Sequence, residues 1–173
     1  MANNILKYKG CEIGKSIKEE NCDQIIKQLF EMSERENCKI LFPVDVAVGK
    51  NVDGISEIKN INKVLKNELI LDIGPKTIKI INDIIESSNT VLWNGPAGYF
   101  ENPNFAKGSY EIAKKIVEKN KKNSIYSVAG GGDTVALWNN IGVFNNLDFV
   151  LTAGGALLEY VEGTELPGLK AVN

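Results

Sequence analysis

The sequence predicts an α/β fold of the Rossmann-like, three-layer α/β/α kind, built on a parallel sheet. Two observations carry this. From Thr90 onward, short apolar runs alternate with segments of helical periodicity in the order βαβαβα. The runs are apolar throughout rather than alternating, as strands covered on both faces must be. In such a sheet, ligands bind beyond the carboxyl ends of the strands.

Each element has its own signal. Ser16 and Glu19 have the spacing of a capping box, and Ile25, Ile26, Leu29, Phe30 and Met32 follow at helical intervals, so residues 17–36 read as helix. Residues 39–48 are short, apolar and valine-rich and read as strand, with Pro43 marking an interruption or a loop. Residues 49–68 lack periodicity and read as irregular, before the apolar run 69–73 that Gly74 and Pro75 close. A helix opening near Thr77 presents Ile78, Ile81, Ile84 and Ile85, and a strand follows at 90–93. Phe105, Ile112, Ala113, Ile116 and Val117 mark the next helix, whose terminal lysines complement its dipole. Then come strand 124–129, helix 133–140 closed by Gly142, strand 149–151 and helix 156–161. A length of 173 residues is that of one well-cored domain.

Composition excludes several classes. A net charge of -2 offers no global field for a polyanion, so nucleic acid is not an expected partner, although Lys119, Lys121 and Lys122 cluster locally. No segment approaches the roughly 20 apolar residues of a membrane span, and the amino terminus lacks a signal-peptide run. Cys11, Cys22 and Cys38 form no disulfide framework or zinc pattern, which fits a cytoplasmic location. With no histidine, chemistry must rest on carboxylates, lysines, backbone amides or a metal, favouring electrostatic over acid–base catalysis.

Three loops leave predicted strand ends. Gly130, Gly131 and Gly132 precede Asp133 and Thr134 at a helix start, where N–H groups can converge on an anion without side-chain obstruction. Asp133 beside that anion is repulsive unless a divalent cation bridges the two, which points to a magnesium-bound nucleotide. The structural alternative is a tight turn with Asp133 as a helix cap. Asn94, Gly95 and Pro96 form a second ligand loop or a plain turn, and Glu101 behind it is a ribose-type acceptor or a solvated glutamate. Gly154 and Gly155 open the last helix as a third anion site or, again, a turn. Three such loops together favour a phosphate ligand.

The segments FPVDVAV (42–48), LDIGPKT (71–77), WNGPAGYFE (93–101), FAKGS (105–109), AGGGDT (129–134) and ELPGL (165–169) resemble phosphoglycerate kinase in order and spacing. ANNILK (2–7) and GKS (14–16) extend the resemblance over essentially the whole chain. The resemblance implies the glycolytic transfer of a phosphoryl group between 1,3-bisphosphoglycerate and ADP, giving 3-phosphoglycerate and ATP. Residues 1–173 would supply part of the nucleotide-binding, carboxyl-terminal domain. By resemblance, Asp133 holds magnesium, Gly131, Gly132 and Thr134 contact phosphates, Asn94 meets the terminal phosphates and Glu101 binds ribose. Gly154 and Gly155 then face the transferring phosphoryl group.

The resemblance also implies omissions. The amino-terminal domain that binds phosphoglycerate is expected to be absent, as are the lysine-bearing GG-x-K-V segment and the first two central strands of a 3-2-1-4-5-6 sheet. The phosphoglycerate substrates are then partners only with the missing half. An incomplete sheet predicts marginal stability or self-association through exposed edges, and a non-catalytic interaction module is the competing reading. Ile70, Val52, Ala153 and Leu157 replace a family glycine, phenylalanine, glycine and serine, and Phe149 stands where histidine is common.

Overall fold

A computed structural model of the chain describes residues 1–143 and 146–171, which divide into two compact units. The first comprises Met1–Ile80 with Gly98–Gly108, and the second the described residues of Ile81–Ala97 and Ser109–Asn173.

In the first unit, helices α1 (Ala2–Tyr8) and α2 (Asp23–Arg35) precede a three-stranded sheet. Its strands β1 (Asp45–Gly49), β2 (Glu57–Asn60) and β3 (Leu69–Ile73) lie in the order β2-β1-β3. Both pairings are antiparallel. Parallel pairing is therefore not the rule here, and residues 49–68 are not simply irregular. A turn at Asn51–Gly54 sends the chain back as β2, whose exposed polar side chains carry no apolar run because it lies at a sheet edge. Central β1 is buried along its whole length, and Val46 and Val48 pack with Leu6, Ile13, Ile61 and Val64.

The first helix expectation also changes. Residues 17–22 are not helical, and Ser16 is no cap: its hydroxyl donates to Ile13 O and accepts from Ile70 N at 2.8 Å, tying the segment to β3. Of the anticipated apolar face of α2, Ile26 is buried while Ile25, Leu29 and Met32 are exposed. Residues 39–44 lead into β1 without being strand.

Helix α3 (Pro75–Ser87) is started by a group distant in sequence. Asp45 on β1 accepts from Lys76 N at 3.0 Å, Thr77 N at 2.8 Å and Thr77 Oγ1 at 2.7 Å, so it caps a helix that Pro75 alone was expected to open. Gly74 is required there, because a methyl group on it would lie 2.3 Å from Asp45 Cγ.

The second unit is the anticipated α/β arrangement. Strands β4 (Thr90–Asn94), β5 (Tyr126–Gly130) and β6 (Phe149–Leu151) pair in parallel in the order β4-β5-β6. Helices α4 (Lys107–Lys121) and α5 (Gly132–Ile141) connect them, α6 (Gly154–Glu162) follows β6, and a short α7 (Pro167–Lys170) comes last. Gly142 and Gly163, both left-handed, end α5 and α6. Among the described residues, no helix is long and apolar enough to cross a membrane.

Alternation assigns the sheet faces. Ser127 and Ala129 point one way, where Asn120 of α4 donates to Ser127 Oγ at 2.6 Å. Trp93 shares that face by register with Ala129 and meets Trp138 of α5 edge-on, with ring centroids 5.6 Å apart. Both crossover helices thus cover the same face, as right-handed connections between strands added in one direction require. Asp148 clamps β5 to the start of β6: one carboxylate oxygen accepts from Ser127 N, Ser127 Oγ and Asn120 Nδ2. Those bonds, led by the Ser127 amide, hold the Asp148 carboxyl below its ordinary range.

The terminal lysines of α4 are divided in role. Lys119 is buried and its ammonium donates to Glu86 O at 2.6 Å and Ser88 O at 3.0 Å, at the carboxyl end of α3, while Lys122 pairs with Glu118 on its own helix. This capping role breaks up the local basic cluster read in the sequence.

Candidate phosphate-binding loops at the sheet's carboxyl edge

Strands β4, β5 and β6 all end toward the same side of the parallel sheet, so the three loops seen in the sequence emerge together. Asn94 is the last residue of β4 and lies opposite Gly130, the last of β5, which is in turn opposite Leu151 on β6. The first glycine loop turns at Gly131, whose φ of +98° excludes most side chains. Its N–H donates to Leu151 O at 3.0 Å, while its carbonyl accepts from Val135 N as α5 begins.

The loops approach closely. A methyl group on Gly131 would lie 3.0 Å from Asn94 Oδ1 and 3.7 Å from Gly154 Cα. One on Gly154 would lie 3.0 Å from Gly131 Cα and 3.3 Å from Asn94 Oδ1. One residue from each strand end, Asn94, Gly131 and Gly154, therefore meets at a point that only glycines at the second and third positions permit. By contrast, Gly132 and Gly155 face open space, with nothing within 4 Å of a methyl group built on either. Both belong to the first turns of α5 and α6, and neither helix has a side-chain cap. Their first amides are consequently not claimed by a side chain from within the helix start.

Thr134 joins two of the loops. It is fully buried, and its Oγ1 accepts from Gly95 N at 2.8 Å, holding a glycine with φ of +110°. Trp93 donates its indole N–H to Gly95 O, so both polar atoms of the Gly95 backbone are held. Pro96 lies between Gly95 and Ala97, and Ala97 N donates to Ser109 Oγ at 2.9 Å. Asp133 is exposed in the first turn of α5. It is the only charged residue of the three loops 94–97, 130–134 and 152–155.

Glu101 does not join this cluster within one unit: it belongs to the first unit, in an exposed turn. There its neighbour Asn102 donates to Val52 O at 2.7 Å.

Sequence reasoning did not foresee the positioning residues Leu151, Leu157 and Trp138. Leu157 Cδ2 would be 2.4 Å from a methyl group on Gly130, so the leucine standing in place of a serine packs over that glycine. Ala153 has φ of -83°, so the position does not need the conformational freedom of the glycine it replaces.

These loops and the sheet that carries them are shared with known proteins. The family model for phosphoglycerate kinase matches residues 1–164. The chain belongs to the phosphoglycerate kinase family. The phosphoglycerate kinase of Zymomonas mobilis is 43% identical over 174 aligned positions, covering 99% of this chain and 44% of the relative. That of Azorhizobium caulinodans is 38% identical over a similar stretch, again 44% of its length. Among solved structures, the Coxiella burnetii phosphoglycerate kinase superposes with a TM-score of 0.88 at 37% identity, over 98% of this chain and 43% of that one. The Pyrococcus horikoshii phosphoglycerate kinase gives a TM-score of 0.72 at 28% identity. The chain thus spans less than half the length of the relatives it matches.

Several family motifs prove to hold the units together internally. FPVDVAV meets LDIGPKT through Asp45 and Thr77. LDIGPKT meets FAKGS through Asp72, which accepts from Gly108 N at 2.7 Å. WNGPAGYFE meets AGGGDT through Gly95 and Thr134.

Proposed function

We propose that this chain supplies the nucleotide-binding half of a phosphoglycerate kinase and binds ADP or ATP with magnesium at the three loops of the second unit. The observation that carries this reading is the convergence of Asn94, Gly131 and Gly154 beside two uncapped helix starts that face open space. Helix amino termini carry partial positive charge and free N–H donors, which suit the oxygens of a polyphosphate.

Within this reading the amides of Gly132 and Asp133 receive phosphate oxygens, with Gly130 and Gly131 shaping the approach. Thr134, fully buried, acts behind them by holding Gly95 in place rather than by touching phosphate itself. Asn94, held in position with Gly95 and Pro96, offers its amide to the terminal phosphates. Gly154 and Gly155, as the catalytic pair, present the start of α6 to the phosphoryl group in transfer. Phosphoryl transfer depends chiefly on alignment and charge neutralisation, so a loop of amides suffices for much of it. Magnesium suits the donor set, because it keeps several waters and accepts one carboxylate together with phosphate oxygens, and Asp133 is that carboxylate. Glu101 as a ribose ligand, and glycolytic turnover in the cytoplasm with 1,3-bisphosphoglycerate and 3-phosphoglycerate, belong to the same reading and require the rest of a family-length protein.

Thermal unfolding with and without magnesium-ADP tests it. At a ligand concentration 100 times Kd, binding adds about 2.7 kcal/mol of stability, a rise of roughly 5–10 °C in the midpoint for a chain of this size. Asp133→Ala, an exposed position, should leave the unliganded midpoint in place and abolish the rise. No rise with the unaltered protein at millimolar magnesium-ADP would refute the proposal.

A further inference from the structure

The backbone that carries Asn94 is pinned from an unexpected side, by the residue before it. Strand alternation turns Trp93 and Asn94 to opposite faces of β4. Asn94 is exposed at the strand end, while Trp93 is half-buried on the face where it meets α5. The Trp93 indole N–H nevertheless reaches forward past Asn94 and donates to Gly95 O. That carbonyl is the only polar atom of its peptide unit, because Pro96 has no N–H. The preceding peptide unit, between Asn94 and Gly95, is fixed through Gly95 N, which donates to Thr134 Oγ1 at 2.8 Å. Each hydrogen bond thus pins one of the two peptide planes that follow Asn94, and together they hold Gly95 at φ of +110°.

The other tryptophan shows what plain packing looks like in this core. Trp138 is fully buried and meets Trp93 edge-on, with centroids 5.6 Å apart, yet its own indole N–H has no acceptor among the described residues. Burial here does not by itself bring an indole N–H to an acceptor. Trp93, the less buried of the pair, has one, and that acceptor adjoins Asn94.

We propose that Trp93 is a positioning residue of the nucleotide site: through Gly95 it sets the backbone that aims the Asn94 amide at the terminal phosphates. The inference rests on the nucleotide reading of the three loops and adds the residue that orders one of them before ligand arrives. Preorganisation of this kind spares the cost of ordering the loop on binding. Because Trp93 acts through Gly95 and not by contact with phosphate, its whole effect on affinity passes through Asn94.

The test is a double-variant cycle on magnesium-ADP affinity, measured by calorimetric titration of the whole 173-residue chain. Phenylalanine keeps an aromatic ring and removes the indole N–H. We expect Trp93→Phe to weaken binding about three- to tenfold, the range that one hydrogen bond supports. In an Asn94→Ala background the same change should weaken it by less than about twofold, since the group it aims is gone. Trp138→Phe, at the more buried ring, should lower the urea midpoint more than Trp93→Phe does and weaken binding less. A packing role orders the two the other way for binding. Circular dichroism checks that each variant folds, and the unaltered chain gives a readout that needs none of them. Its two tryptophans give two indole N–H signals in NMR spectra, and magnesium-ADP should move that of Trp93 more than that of Trp138. Equal losses in the two backgrounds, a greater binding loss from Trp138→Phe, or equal movement of the two signals overturns the positioning role and leaves the nucleotide site standing. Absence of binding by the unaltered chain removes the nucleotide reading and this inference together.

Discussion

Asp72 is the residue at which chemistry and packing conflict most. Its carboxylate is almost fully buried between two glycines, accepting from Gly108 N at 2.7 Å and Ile73 N at 2.8 Å. Methyl groups on Gly98 or Gly108 would stand 2.5 Å and 2.3 Å from Asp72 Oδ1. Burial outweighs the two amides and pushes the carboxyl up from 3.8 to about 6. Because the folded state holds this proton to higher pH than the unfolded chain, stability is greatest below about 4 from this group. It declines as pH rises to about 6, then levels. The loss is on the order of 2–3 kcal/mol. Urea titrations from pH 4.5 to 6.5 should show the midpoint falling with pH, and Asp72→Asn should flatten that slope. A different constraint acts at Gly131, where positive φ and the contact with Asn94 Oδ1 make Gly131→Ala costly, by about 1–2 kcal/mol. Magnesium-ADP protection should fall with it in the same thermal assay.

At the scale of elements, helix α3 shows how distant residues define a boundary. Pro75 and Thr77 signal a start in the sequence, but the cap is Asp45 on β1, and the last carbonyls are met by Lys119 on α4. Asp45→Ala leaves the backbone N–H groups of Lys76 and Thr77 short of an acceptor, while the buried Thr77 hydroxyl keeps the backbone carbonyl of residue 45 at 3.0 Å. The substitution should lower the urea midpoint by an amount equivalent to about 1–3 kcal/mol with an unchanged slope. Thr77→Val should couple to it, so that the double variant loses less than the sum. The elements legible in the sequence were those whose burial matches their own periodicity: α3, α4, α5 and the parallel strands. The edge strand β2 was not, because Glu57-Ile58-Lys59-Asn60, exposed except for Lys59, carries no apolar pattern and exists through pairing with β1. The start of α2 was misplaced because Ser16 spends its hydroxyl on Ile13 and Ile70 rather than on a helix.

For the whole molecule, the relation to its family sets the expectation. The chain covers 44% of the Zymomonas mobilis enzyme, and its second unit has a covered face and an open one. Phosphoryl transfer between ATP and 3-phosphoglycerate should therefore be at background for the chain alone and appear when the unmatched part is added. A coupled assay of ADP release reads both conditions, and full turnover by the chain alone would contradict this expectation. Asp133→Ala should suppress turnover in the reconstituted protein without reducing complex formation.

The glycine loops, the helix after each and the family were readable from local pattern, because backbone freedom at Gly131 and amides at a helix start depend on a few adjacent residues. The convergence of Asn94, Gly131 and Gly154 was not readable, since it follows from parallel register among three strands. Nor was the division into two units, with one antiparallel and one parallel sheet. The sequence alone determined which residue types can hold a polyphosphate. Tertiary structure alone decided which of them meet and which apolar face is left open, because strand direction and pairing are set by burial summed over distant segments.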